Sequence, residues 1–333
     1  MWASTLPPAL HRVLHRGVCV IATLGLLAGC APGSMSTQFQ RIGNDDGTDS
    51  CRRELVALDS TGNFFAEDII KGAVIGALGG ALLGGLTGGG RGALIGAAAG
   101  AALGGAGGYL AALHRQSQDQ AGMVSRIRSD LQAEAFQIDR TQLAFSQLVE
   151  CRFGQARAIR AAAATGRLPK PYAVQQMAIV RERAKRDLAL ARLIDTKIQQ
   201  RGEQFDTAAD QVSPGTKSYI ADYKSRTQRT VVAQRPATLR LQPSASAPEL
   251  AQIRPSERLT VRSTQGDYAV VETESGTRGY AALSSLQLPR APDAGGGDGV
   301  RSLAGSNATR RDSFAQSVAV VESASATSFE IAG

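Results

Sequence analysis

The sequence predicts an α+β protein built in separate segments rather than around one large core, and three observations carry that reading. A glycine- and alanine-rich apolar stretch follows the first seventy residues. Two charge-rich stretches with seven-residue apolar spacing come next, and then a run of short segments alternates apolar and polar residues at strand period. Aromatic residues make up only 5% of the 333 residues, and the single Trp is Trp2, so the chain lacks the bulky side chains that fill a large interior. A net charge of +8 permits anionic partners but selects none of them.

The N-terminus comes first. Arg12 and Arg16 precede the apolar run GVCVIATLGLLAG and then Cys30. A basic region, a short apolar core and small residues form a secretion signal over 1–29, too short for a stable membrane span. The block Leu27-Ala28-Gly29-Cys30 resembles the bacterial lipobox. That resemblance implies cleavage before Cys30, diacylglycerol on its thiol and an N-acyl chain such as palmitate on its new amino group. Two or three acyl chains anchor nearly permanently. Ala31 and Pro32 follow, without the Asp that retains such proteins at the inner membrane. The resemblance therefore implies a lipid anchor in the cell outer membrane, facing the periplasm, with residues 30–67 as a lipidated linker. No cofactor beyond these acyl groups is expected.

Cys19 leaves with the signal, and Cys51 and Cys151 remain in an oxidising compartment. They are candidates for a disulfide within the chain, with intermolecular bonds in a homo-oligomer as the alternative.

Between residues 72 and 108 there are sixteen glycines. Gly72, Gly76, Gly80, Gly84, Gly88, Gly92, Gly96, Gly100, Gly104 and Gly108 occupy every fourth position. Four-residue spacing stacks them as one smooth groove along a helix. Ten interior glycines cost about 5–10 kcal/mol relative to alanine, and close backbone packing is what offsets such a cost. GGLTGGGRG at 84–92 reads as a turn between two arms of bilayer length. The pattern resembles the glycine-zipper, two-transmembrane-type domain of envelope lipoproteins, over 68–112. Hydrophobicity is its weak point. Val74, Ile75, Leu78, Leu82, Leu83 and Leu86 favour insertion of the first arm by about 2–3.6 kcal/mol, and the second arm has only Leu94, Ile95, Leu103 and Leu110. Several hairpins packed together fit better than one alone, so a homo-oligomer in membrane lipid is expected, with a soluble or surface-lying Gly/Ala hairpin as the alternative. No Walker loop or Gly-x-Gly-x-x-Gly fingerprint occurs between a strand and a helix, and no nucleic-acid partner is expected.

Residues 113–212 read as an antiparallel helical hairpin. Val124, Leu131, Ile138 and Phe145 recur every seven, with Ile127 and Leu148 offset by three and polar interruptions at Glu134, Thr141 and Arg152. After TGRLPKP the stripe resumes as Val174, Met177, Ala184, Leu188, Ala191, Ile198 and Phe205. RERAKR at 181–186 reads either as an anionic docking strip or as a solvated face, with Glu182 and Arg186 as an i,i+4 pair.

SPGTKS opens a linker over 213–228. Beyond it TVVAQ, ATLRLQP, ERLTVRS, DYAVVETES and TRGYAALSSLQL alternate at strand period. Their order, with Ala237-Thr238-Leu239-Arg240 and Gly279-Tyr280-Ala281, resembles a bacterial SH3-like domain over 229–289. The resemblance implies a small β-barrel with a groove for peptidoglycan peptides or an envelope protein. Tyr268 and Tyr280 stand where that family has Trp, as candidate groove aromatics or as core residues. The Ser/Ala-rich remainder, 290–333, is expected to be disordered.

His11 and His15 leave with the signal, and His114 stands alone. No metal-ligand spacing or nucleophile constellation is present, so no enzyme and no metal are expected. The functional expectation is a scaffolding lipoprotein of the outer membrane. The alternatives are an accessory or pore-forming component of an export machine, or a peptidoglycan-binding regulator of a wall hydrolase.

Overall fold

The computed structural model describes residues 38–65, 109–110, 113–114, 119–288 and 299–331. The lipobox and the ten spaced glycines lie outside them. The chain divides into two units, 1–43 and 44–333. In the first, a five-residue helix, α1 (Gln38–Ile42), is the described element.

In the second unit a helix over 52–65 (α2) is followed by two long helices, α3 (Gln120–Ala164) and α4 (Lys170–Val212). Asp119 starts α3 by accepting a 2.7 Å bond from the Gly122 amide. Pro169 and Pro171 launch α4 after a turn in which Gly166 takes φ +71°. The hairpin thus has arms of 45 and 43 residues. Ile127, Leu131, Ile138, Phe145 and Leu148 are buried, as are Met177, Ala184, Leu188, Ala191, Ile198 and Phe205. Val174 departs from the stripe: it is 51% exposed. Glu182 pairs with Lys185 at 2.7 Å rather than with Arg186.

The expected linker is itself ordered, as α5 (Thr216–Thr227), entered through Gly215 at φ +88°. Six strands follow: β1 (Arg229–Val232), β2 (Ala237–Arg240), β3 (Glu249–Ile253), β4 (Arg258–Gln265), β5 (Tyr268–Thr273) and β6 (Arg278–Ala282). They form one antiparallel sheet in the order β1-β4-β5-β6-β2-β3, and a short helix, α6 (Leu283–Leu286), ends it. The sheet is open, with β1 and β3 as its edges, so the closed barrel expected from the SH3-like resemblance is not formed. Its core is Leu239, Ile253, Leu259, Val261, Val271 and Ala281.

The largest correction concerns the C-terminus. Residues expected to be disordered form a 29-residue helix, α7 (Val300–Ser328), which packs against α3 and α4 on one side and against α5, β4 and β6 on the other. Ala304, Ala308, Phe314, Val318 and Val321 are buried along it. Asn307, in a glycosylation-type sequence, is fully buried and donates to the Leu131 carbonyl and Glu134. Glu134, an interruption of the apolar seam, meets Arg311 at 2.9 Å, and Arg311 also holds Asp206 at 2.7 Å. Burial raises the pKa of Glu134, and the charge of Arg311 opposes that shift.

Candidate functional site

The two described ends of the glycine segment meet one pair of side chains. Phe64 and Phe65 close α2 and pack edge-to-face with centroids 5.1 Å apart. The Arg201 guanidinium lies 4.4 Å from the Phe64 ring and 4.8 Å from that of Phe205, one α4 turn further on. On the far side of the glycine segment, Tyr109 packs edge-to-face on the same Phe205 at 4.8 Å. Its hydroxyl donates to Asp130 at 2.7 Å, and Arg126 holds that carboxylate at 3.1 Å. Burial and the Asp130 contact push the Tyr109 pKa well above the usual phenol range. Leu113 is buried beside Ile127, Leu131 and Phe205. Three contacts, each under 5 Å, therefore join Phe64 to Tyr109 through Arg201 and Phe205. The described residues that flank the glycine segment, Phe64 and Tyr109, are thus held at one place on α4.

A second cluster fixes the approach to that clamp. Cys51 and Cys151 are bonded to each other in this structure, with Cα atoms 5.9 Å apart. Beside the bond, Arg152, 2% exposed, donates to Asp49 and Asp187. Burial raises the pKa of Asp49, but the hydrogen bond and charge of Arg152 outweigh it, and the net shift is downward. Asp187 is shifted the other way, because its deeper burial outweighs the same arginine. Arg183 donates to the Thr48 carbonyl at 3.0 Å. Gly62 lets α2 lie flat on Ile194: an added Cβ would stand 3.1 Å from Ile194 Cγ1.

The candidate groove aromatics separate. Tyr280 is 1% exposed, and its hydroxyl bonds Ser317 of α7 at 2.6 Å. Burial pushes its pKa up to about 12. It belongs to the joint between sheet and helix and lines no open groove; Tyr268, partly exposed, starts β5. Of RERAKR, Arg181 bonds the Phe329 carbonyl, Arg183 holds Thr48, and Lys185 and Arg186 face solvent. Sequence reasoning missed Phe64, Tyr109, Asp130 and Arg201. The available signal was position, since Phe64 and Phe65 precede the glycines and Tyr109 directly follows Gly108. Among the described residues no group of three His, Cys, Asp or Glu side chains could hold a metal ion. No described helix is long and apolar enough to cross a membrane.

Residues 56–112 match the YMGG-like Gly-zipper family. The match begins inside α2 and ends past Tyr109, so it takes in both sides of the clamp as well as the glycines. No curated protein and no solved structure matches the chain. The chain contains a glycine zipper, a feature that goes with membrane association.

Proposed function

We propose that this chain is a non-enzymatic scaffolding lipoprotein of the cell outer membrane, which self-associates through its glycine zipper and holds a rigid body of helices and sheet in the periplasm. The observation that carries the reading is the clamp: Phe64 and Tyr109 are gathered at Arg201 and Phe205. A segment that starts and finishes at one point has the entry and exit of a hairpin, the form in which glycines spaced by four lie along a single seam. Cys30, acylated, supplies a second anchor. The sheet is joined to the bundle through α7, so the body moves as one piece and the SH3-like module acts through its remaining surfaces.

Replacing Gly76, Gly80, Gly96 and Gly100 with Leu puts branched side chains into the seam. Crosslinking of membranes carrying this variant is expected to yield monomer where the natural chain yields oligomer, with the circular dichroism of the body unchanged. Crosslinked species of native size in the variant would overturn the reading. Cys30→Ala is expected to lose acyl label.

A further inference from the structure

The end of the hairpin opposite the clamp is a concentrated cationic surface with apolar residues standing on it. Between residues 157 and 186 there are eight Lys or Arg and one acidic residue, Glu182, against +8 for the whole chain. Arg160 and Arg181 cap the end of α7, donating to the carbonyls of Ser328, Phe329 and Glu330. Beyond that level α3 and α4 continue without α7. On the part of α4 that projects, Tyr172 is 61% exposed, Val174 51% and Ile179 46%. Arg157, Arg167 and Lys170 are exposed around them. The side chain of Lys185 is 64% exposed and paired with Glu182, and Glu330 adds one more carboxylate nearby. From Arg201 to Lys170 α4 runs about 45 Å, at 1.5 Å per residue.

We propose that this tip binds the headgroup layer of an anionic phospholipid bilayer. Cations alone suit any polyanion, but Val174 and Ile179 would gain nothing from one. A headgroup layer takes both kinds of side chain: lysine and arginine meet phosphates, aliphatic groups enter the acyl boundary, and a tyrosine ring sits between. The turn end of a two-helix hairpin can press against a deformable surface. The inference rests on the proposed anchoring only for direction: with the clamp end towards one membrane, the tip addresses a second surface about 45 Å away.

The test holds the full chain by its clamp end. A His114→Cys variant, biotinylated at that exposed position, is placed on streptavidin beads, in phosphatidylcholine nanodiscs or without lipid. It is then offered fluorescent vesicles of phosphatidylglycerol or of phosphatidylcholine. Phosphatidylglycerol vesicles are expected to be captured at least about tenfold better. The triple reversal Arg157→Glu, Arg167→Glu, Lys170→Glu is expected to abolish that preference, and Tyr172→Ser with Ile179→Ser to reduce capture several-fold. All five sites are exposed, so circular dichroism should be unchanged. Equal capture of neutral vesicles, no capture, or indifference to the charge reversal would overturn the proposal. Loss with the charge reversal but none with the serine pair would assign the tip to a soluble polyanion and equally overturn it. Because the beads work with or without a nanodisc, failure of the zipper to enter lipid is seen separately, as chain missing from the nanodisc fraction.

Discussion

Gly202 shows how much one hydrogen atom can decide. A Cβ at this position would stand 2.4 Å from Arg311 Nε and 2.6 Å from Cζ, and that guanidinium is fixed in the interior by Glu134 and Asp206. Gly202→Ala must push it out of both pairings and leave Glu134 buried without its counter-charge. A loss of about 2–4 kcal/mol in denaturant unfolding is expected. The same change made in an Arg311→Ala background should add less than about 1 kcal/mol, since the clash is gone. Asp49 contributes to the pH dependence of the N-terminal arm. Its folded pKa lies below the ordinary 3.8, so its pairing with Arg152 stabilises the fold above that value and is lost as pH falls through the lower folded one. The difference in Tm between the natural chain and Asp49→Asn is therefore expected to be full at pH 7 and to close below about pH 3.8. A constant difference down to pH 2 would contradict it.

Among the elements, α2 depends most on a single bond. Besides the disulfide, it is held by its buried Leu55, Leu58 and Phe65, by the Asp49–Arg152 pair and the Arg183 bond to Thr48 just before it, by the Ile194 contact at Gly62 and by the Phe64 stack on Arg201. Cys151→Ser is expected to cost about 2–4 kcal/mol and to expose residues 44–65 to protease before the rest of the bundle. Uniform protection would mean that the packing alone suffices. The contrast between α3 and α7 explains what could be read from sequence. The seam of α3 is written in Ile, Leu and Phe, and even its interruptions are informative once Glu134 and Arg152 are seen to hold Arg311 and Asp187. The buried face of α7 has helical spacing too, but it includes Ala304, Asn307, Ala308, Arg311 and Ser317. Such residues bury little apolar area and resemble a disordered tail until α3 and α4 supply partners for them. The strands were legible from alternation; the openness of the sheet was not, because closure depends on which edges meet. Tyr280 was visible as an aromatic at a notable place, but nothing local showed that α7 would cover it.

On the scale of the whole molecule, the proposed function requires an acylated Cys30 and the glycine segment to reach one membrane. Asp49 meets Asp187's partner Arg152 about 20 Å along α4 from the clamp at Arg201, whereas the chain from Cys30 to Asp49 can reach roughly 60 Å. An acylated Cys30 and a zipper hairpin can therefore enter the same leaflet. The claim beneath this arrangement is that the glycine segment leaves and returns at a single point. The most direct check is the distance between spin labels at Asn63 and His114, both exposed and flanking the clamp, measured by pulsed electron resonance in bilayers. A hairpin held at Arg201 and Phe205 predicts one narrow distribution below about 30 Å, whereas a continuous helix between the labels would separate them by about 75 Å. A dominant population near that longer distance would contradict the account.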